Sequence, residues 1–259
     1  MLARVQSFIL HGVDGSPCEI EIDAAETQLN RELIVGLPDA AVKESMERVR
    51  SAISNAGLPF PYGRLLINLA PADVRKEGPV YDLPIAVGLL VAAGVIRRAP
   101  ADRGVLVGSG GPAQEEAPVG VDYRRFLFAG ELALDGRVRP IRGAIALAFM
   151  ARQRGFDGVV VPAENAAEAA VVEGVCVLGV RTLAEVVALL TGEIEPTPHE
   201  AVNLAALIER TTAEVDFREV RGQEPVKRAM TIAAAGGHNI LMLGPPGTGK
   251  TMMAKALPG

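Results

Sequence analysis

The sequence has 259 residues, of which 49% are hydrophobic and 22% charged, so it can bury the core of one or two domains. Its formal net charge of −5 at pH 7 argues against a uniformly basic nucleic-acid-coating protein, although one face can still be basic. The two cysteines stand far apart without metal-ligand spacing, which argues against zinc and indicates a reducing compartment.

No stretch of the sequence indicates a membrane or secretory protein. The longest apolar run, 83–96, is interrupted by proline and glycine and is too short to span a bilayer. The first residues lack the apolar run and cleavage site of a signal peptide. We therefore expect a cytoplasmic protein with no membrane partner.

The first hundred residues alternate between strand-like and helix-like periodicity, which predicts an α/β fold. An Asp14-Gly15 turn is expected to join the first two strands. Pro38 is placed to begin a helix that Gly57 ends near Ala56. In chain order, the pattern predicts strands at 7–10, 18–22, 33–35 and 65–69 and a buried helix at 83–93.

The composition changes at 97–122, where glycine, proline and acidic residues predict a mobile surface excursion. Regular periodicity then returns, with a turn at Asp135-Gly136 and a helix capped by Thr182 that ends near Leu190. The elements predicted between them are a strand region at 126–134, a helix at 144–154, a strand at 159–161, a helix from about 163 and a strand at 175–178.

A polar segment with two prolines, 193–203, is the best domain boundary in the chain. It separates a first domain, 1–192, from a second, 204–259. In the second domain the sequence predicts helices at 204–210 and 224–235 and a strand at 239–243.

The strand leads into a motif that fits G-x-x-x-x-G-K-[ST], the phosphate-binding loop. The loop must curl so that several backbone N–H groups point at one anion, and glycines permit the required angles. Lys250 is expected to reach the β- and γ-phosphates of ATP, and the Thr251 hydroxyl to ligate Mg²⁺. The motif consists of Gly244, Pro245, Pro246, Gly247, Thr248, Gly249, Lys250 and Thr251.

Several stretches resemble the YifB/ComM family of bacterial magnesium-chelatase-like AAA+ ATPases. In the first domain these are 35–53, which begins Val-Gly-Leu-Pro-Asp, and 67–85, which begins Ile-Asn-Leu-Ala-Pro. In the second they are Asp216-Phe217, 220–223 and 233–239. The resemblance covers nearly all of the chain except 99–122. It implies that Val220, Gly222 and Gln223 contribute to the adenine pocket.

The resemblance also implies a Lon-protease-like first domain (ribosomal protein S5 domain 2-like), followed by the start of a P-loop AAA+ domain. The runs 130–143 and 159–165 are similar to the corresponding part of Lon. A Lon-type peptidase needs a serine nucleophile and a lysine base. At the matching places this sequence has Val80 and Ile145, and Ser45, Ser51 and Lys76 lie off the motif. We therefore expect a non-proteolytic domain.

Family membership further implies a homo-hexameric ring that acts on branched DNA. Residues 123–155 contain seven arginines and two acids, a local balance that suits phosphate contacts, although a solvated charged face is the commoner meaning of such a cluster. The arginines are Arg124, Arg125, Arg137, Arg139, Arg142, Arg152 and Arg154.

The leading hypothesis is thus the amino-terminal part of an ATP-driven DNA-remodelling motor. The alternatives are a metal-chelatase motor subunit, a non-catalytic scaffold or oligomerisation module and, last, a peptidase. Eight residues after Thr251 cannot hold the second acidic motif, the sensor and the arginine finger of an AAA+ engine. We accordingly expect the chain to belong to a longer reading frame and to be inactive as an ATPase by itself.

Overall fold

A computed structural model describes residues 1–27, 30–97, 120–202 and 215–257. The chain forms two compact units, Met1–Val202 and Asn203–Gly259. Most of the excursion predicted at 97–122 and the whole helix predicted at 204–210 lie outside the described residues. The domain limits at 192 and 203 remain predictions.

The first unit is built on a seven-stranded mixed sheet. Its two long strands are β1 (Leu2–His11) and β2 (Asp14–Ala25), and the others are β3 (Arg31–Val35), β4 (Arg64–Ala70), β5 (Phe126–Phe128), β8 (Gly158–Pro162) and β9 (Cys176–Val180). The strand order is β3-β4-β2-β1-β5-β8-β9. β2 pairs antiparallel with β1 and β4, and the other four pairings are parallel. β6 (Glu131–Leu132) and β7 (Val138–Arg139) form a separate hairpin.

Helices follow the strands as the α/β prediction requires. The first unit contains α1 (Ala40–Lys43), α2 (Ser45–Asn55), α3 (Asp82–Ala92), α4 (Ala144–Arg154), α5 (Ala166–Ala169) and α6 (Leu183–Thr191). The second unit contains α7 (Glu224–Gly236) and α8 (Lys250–Ala256). Thr182 caps α6 as predicted, because its Oγ1 accepts from the Glu185 N–H at 3.1 Å.

The sheet of the first unit is covered on both faces. One core cluster contains Val49 of α2, Leu89 of α3 and Leu183 of α6, and the other contains Leu147 of α4 and Ala166 of α5. A strand that is buried on both sides needs a continuously apolar sequence, whereas β2 and β4 alternate because one of their faces is only partly covered. β8 meets this requirement, since all five of its residues are buried.

The turn between β1 and β2 is not at Asp14-Gly15, so that prediction is wrong. Asp14 pairs with His11 and Gly15 with Leu10, both inside the hairpin. The turn residues are Gly12 and Val13, and Gly12 has a φ of +62°. Glycine adopts this left-handed angle without strain. The sequence has two glycines within four positions, Gly12 and Gly15, and the pairing of the strands places Gly12 in the turn.

The helix predicted to begin at Pro38 begins at Ala40. Asp39 is the N-cap, with its Oδ1 accepting from the Val42 N–H at 2.8 Å, while Pro38 forms a parallel bridge with Lys76. The helix is then interrupted between α1 and α2. At the interruption the Ala41 carbonyl accepts a hydrogen bond from the Arg48 guanidinium at 2.9 Å. The predicted stop after Ala56 is confirmed, and Gly57 has a φ of +71°.

Candidate nucleotide-binding site

The loop 244–251 has the backbone that its sequence predicts. Gly247 and Gly249 have φ values of +81° and +82°, and Gly249 is the N-cap of α8. A side chain at either glycine would meet open space, so glycine is required there by the backbone angle rather than by crowding. The first N–H groups of α8 have no partner within the helix and can bind an anion.

The Lys250 side chain folds back over this loop. Its Nζ donates to the carbonyl oxygens of Gly244 and Pro245, both at 2.7 Å, and lies 3.4 Å from Thr248 Oγ1. The Thr248 hydroxyl in turn donates to the Pro245 carbonyl at 2.9 Å. These bonds hold the ammonium against the first residues of the loop. Phosphate oxygens are acceptors of the same kind and can replace the carbonyls as its partners.

The donor set fits a magnesium–triphosphate group. The glycine-rich backbone is followed at the start of α8 by a cation, Lys250, and then by the exposed hydroxyl of Thr251. The hydroxyl oxygen is a ligand type that Mg²⁺ accepts beside water and phosphate.

The three residues expected near adenine have different surroundings. Val220 is buried in a small core with Met230 of α7 and Met253 of α8, so it ties its segment to the phosphate-loop helix. Gly222 and Gln223 are exposed, and Gln223 precedes α7 with a φ of +61°. Of the three, only Gly222 and Gln223 therefore offer open surface to a base.

The strand predicted at 239–243 is absent, so this prediction is wrong. Its residues are unassigned, and Leu241 and Leu243 are 81% and 86% exposed. A strand requires a neighbour for its backbone N–H and C=O groups. Among residues 215–257 no segment is paired with it.

The first unit has a cleft of about 920 Å³. One of the residues that line it is Val80, which stands at a position matched to a Lon catalytic residue. The lining residues on the described part of the chain include no serine, threonine, cysteine or lysine; they are Phe8, Ile9, Leu10, His11, Asp39, Arg75, Glu77, Gly78, Pro79, Val80, Tyr81, Glu131, Pro140, Ile141 and Arg142. Ile145 lies at the first turn of α4, outside this lining, and is 44% exposed.

Two of the three off-motif alternatives, Lys76 and Ser45, have structural partners. Lys76 is buried, and its Nζ donates to the carbonyls of Pro71 and of Val74, the latter at 2.8 Å. Burial lowers the pKa of the Lys76 ammonium. Ser45 accepts from Arg48 at 3.1 Å. The described lining of the cleft therefore contains neither the serine nucleophile nor the lysine base of a Lon-type peptidase.

The arginine cluster divides into two groups. Four of the arginines each pair with a carboxylate. The pairs are Arg124 with Asp122, Arg125 with Asp157, Arg137 with Asp135 at 2.7 Å and Arg139 with Glu131 at 3.1 Å. The sequence window 123–155 excludes Asp122 and Asp157 and therefore overstated the local positive charge. The other group is exposed and forms no ion pair with a described residue; it consists of Arg142, Arg152 and Arg154.

No described helix is both long enough and apolar enough to cross a bilayer.

Comparison with known proteins places both units in one group of sequences. A family model for "Subunit ChlI of Mg-chelatase" matches residues 20–165, and a model for "Magnesium chelatase, subunit ChlI" matches 216–259. All of the chain aligns with YifB of Salmonella typhimurium at 40% identity over 258 residues and with the competence protein ComM of Haemophilus influenzae at 38% over 259. An uncharacterized Mycobacterium tuberculosis protein is 39% identical over 264 residues. The chain spans about half the length of these curated relatives, 46% in each case.

Proposed function

The chain belongs to the magnesium-chelatase-like family that includes YifB and ComM, and from this we propose that it is the amino-terminal part of an ATP-dependent AAA+ motor that remodels DNA. The observation that supports the motor most directly is the loop 244–251, whose two left-handed glycines lead into a helix that begins at Lys250. The competence name of the Haemophilus relative supports DNA as the substrate.

Each residue of the loop has a defined task in this proposal. Backbone N–H groups from Gly247 onward bind the phosphate oxygens, while Pro245 and Pro246 donate nothing and stiffen the entry. Lys250 exchanges the Gly244 and Pro245 carbonyls for the β- and γ-phosphates. The Thr251 hydroxyl would ligate the magnesium that accompanies ATP, and that ion would neutralise charge on the phosphates.

The first unit serves as a Lon-like, non-proteolytic domain in this proposal. Its mixed sheet is consistent with that fold, and the residue combination around Val80 supports the loss of peptidase chemistry. The full-length protein is proposed to act as a homo-hexameric ring in the cytoplasm.

A metal-chelatase motor is the second candidate, because both matching family models are named for the magnesium-chelatase subunit ChlI. The two candidates share the ATPase site and differ in what ATP hydrolysis drives. Stimulation of ATP hydrolysis by branched DNA would support the first. Stimulation by a porphyrin and its metal-inserting partner subunits, with no response to DNA, would support the second.

The ATPase proposal is tested with Lys250→Ala in the full-length protein. We expect phosphate release to fall by at least about 100-fold, because this ammonium is the side-chain charge that the motif directs at the β- and γ-phosphates. Lys255→Ala is the matched control, since it removes the same charge from the same helix outside the motif. Equal hydrolysis by Lys250→Ala and wild type would contradict the proposal.

A further inference from the structure

Helix α4 has an exposed stripe of side chains beside a face that is packed into the core. Ile145 is 44% exposed and Phe149 is 52% exposed, and Arg152 lies exposed one turn further on. Their spacing of four and then three residues puts these side chains on one face of the helix. The opposite face is packed into the core; its buried residues are Ala144, Ala146, Leu147, Ala148, Met150 and Ala151.

The unpaired arginines flank this stripe. Arg142 precedes α4 by two residues, Arg152 lies within its last turn and Arg154 is its final residue. None of the three forms an ion pair within the described part of the chain. The nearby carboxylate of Glu168 is already engaged, because it accepts from the Ile145 N–H at 3.2 Å and from the Asn165 amide at 2.9 Å. The Glu168 carboxylate keeps its negative charge near Ile145, and the three unpaired arginines place three positive charges at the two ends of α4.

An exposed aromatic ring between unpaired arginines has the chemistry of a single-stranded nucleic-acid site. Bases of a single strand stack on an aromatic face, while arginines contact the phosphates in a manner that is independent of sequence. A duplex offers the same phosphates but keeps its bases inside the stack. The apolar part of the α4 stripe consists of only two side chains, those of Ile145 and Phe149. It therefore offers little apolar area for a protein partner, which would also have to accommodate three arginines.

We propose that this surface, comprising Arg142, Ile145, Phe149, Arg152 and Arg154, binds single-stranded DNA. The inference rests on the proposed DNA-remodelling function and specifies the form of DNA and the face that contacts it. It also divides the arginine cluster, because the arginines paired with Asp122, Glu131, Asp135 and Asp157 are excluded from the contact.

The charge part of the proposal is tested by fluorescence anisotropy of a labelled oligothymidine strand with the 259-residue chain. Arg142→Ala/Arg152→Ala should weaken binding and reduce the slope of log affinity against log salt by about 1.4, which corresponds to two lost phosphate contacts. Arg137→Ala/Arg139→Ala is the matched control, since it removes the same charge from paired positions. Its slope should stay within experimental error of wild type.

The aromatic part is tested with Phe149→Ala and Phe149→Tyr. Phe149→Ala should weaken oligothymidine binding by roughly 10-fold and leave duplex binding unchanged, and Phe149→Tyr should restore the affinity. Thermal unfolding of each variant checks that the fold is retained. An equal loss of single-strand and duplex binding would overturn the stacking contact.

Three other outcomes would overturn the inference. They are absence of oligothymidine binding by the wild-type chain at low salt, an equal slope change in both double variants, and a change of oligomeric state in Phe149→Ala, which would indicate a contact between copies. The proposed motor function has a separate test. Single-strand binding on this surface, together with ATP hydrolysis that ignores DNA in the full-length protein, would preserve this inference and reject DNA remodelling.

Discussion

Cys18 lies on β2 opposite Ser7 of β1 and has no exposed surface. Burial raises the pKa of its thiol to about 12, although the nearby Lys76 ammonium acts in the opposite direction. The thiolate is the reactive form of cysteine, so this side chain is chemically inert in the folded state. Cys18 therefore fills space as a small hydrophobic residue, as the sequence predicts.

The raised pKa of Cys18 predicts a loss of stability in alkaline solution. The ordinary thiol pKa of 9.0 applies to the unfolded chain, and the folded value is about 12. Its contribution is thus complete below pH 9.0 and is lost as pH rises toward the folded value. Between these values the free energy of unfolding should fall by about 1.4 kcal/mol per pH unit relative to Cys18→Ala. Urea unfolding across this range measures the difference, and parallel curves for the two proteins would contradict the prediction.

At the scale of elements, an ion pair between the partly buried Arg48 and the fully buried Asp82 joins α2, α3 and β6. The Asp82 carboxylate at the start of α3 accepts from Arg48 Nε of α2 at 2.7 Å and from Arg48 Nη2 at 3.0 Å. It also accepts from the Leu132 N–H of β6 at 3.2 Å. The hydrogen bonds that Arg48 donates to Asp82 raise the pKa of the Arg48 guanidinium, so the arginine stays charged. The sequence signal for this contact was an acidic residue at the head of an entirely apolar helix.

Replacing Asp82 by alanine should destabilise the first unit by about 3–5 kcal/mol, because the charge of Arg48 is then left partly buried without its partner. Arg75→Ala is a suitable control. It breaks an exposed pair with Glu77, whose side chains are 69% and 71% accessible, and should change stability by less than about 1 kcal/mol. Denaturant unfolding gives both values. Similar effects of the two substitutions would show that the Asp82 contact contributes no more than an exposed pair.

At the scale of the whole molecule, the segment 193–203 remains the predicted connection between domains. Residues 193–202 belong to the first compact unit, where the His199 N–H donates to the Val177 carbonyl of β9 at 2.8 Å and the Val202 N–H to Ala170 at 3.1 Å. Between these anchors and α6, residues 195–198 make no backbone hydrogen bond to another described residue. This part of the segment is the accessible one.

We expect the segment 193–203 to be the most protease-sensitive connection between domains in limited proteolysis with a nonspecific protease, because a protease needs an exposed backbone that is free to adapt. The sheet and helices within 30–95 should resist, since their backbone groups are paired and their side chains are buried. Mass spectrometry of the earliest fragments identifies the site. A first cut inside 30–95 would overturn the predicted boundary.

The sequence by itself determined those structural features that depend on residues close to one another along the chain. The helices α4 and α6, the stop at Gly57 and the loop at Lys250 were all predictable, because helices, caps and phosphate loops are encoded over a few positions. The α/β class followed from the alternation of such segments.

Only the tertiary structure decided features that depend on distant partners. Strand pairing moved the β1–β2 turn to Gly12, and the absence of a described neighbour left 239–243 unpaired. Asp157 is remote from Arg125 in sequence but forms an ion pair with it in the folded chain. This pair leaves fewer unpaired arginines in the cluster than the sequence indicated. Local patterns report the propensity and periodicity of a segment, whereas pairing and charge neutralisation depend on which segments the fold brings together.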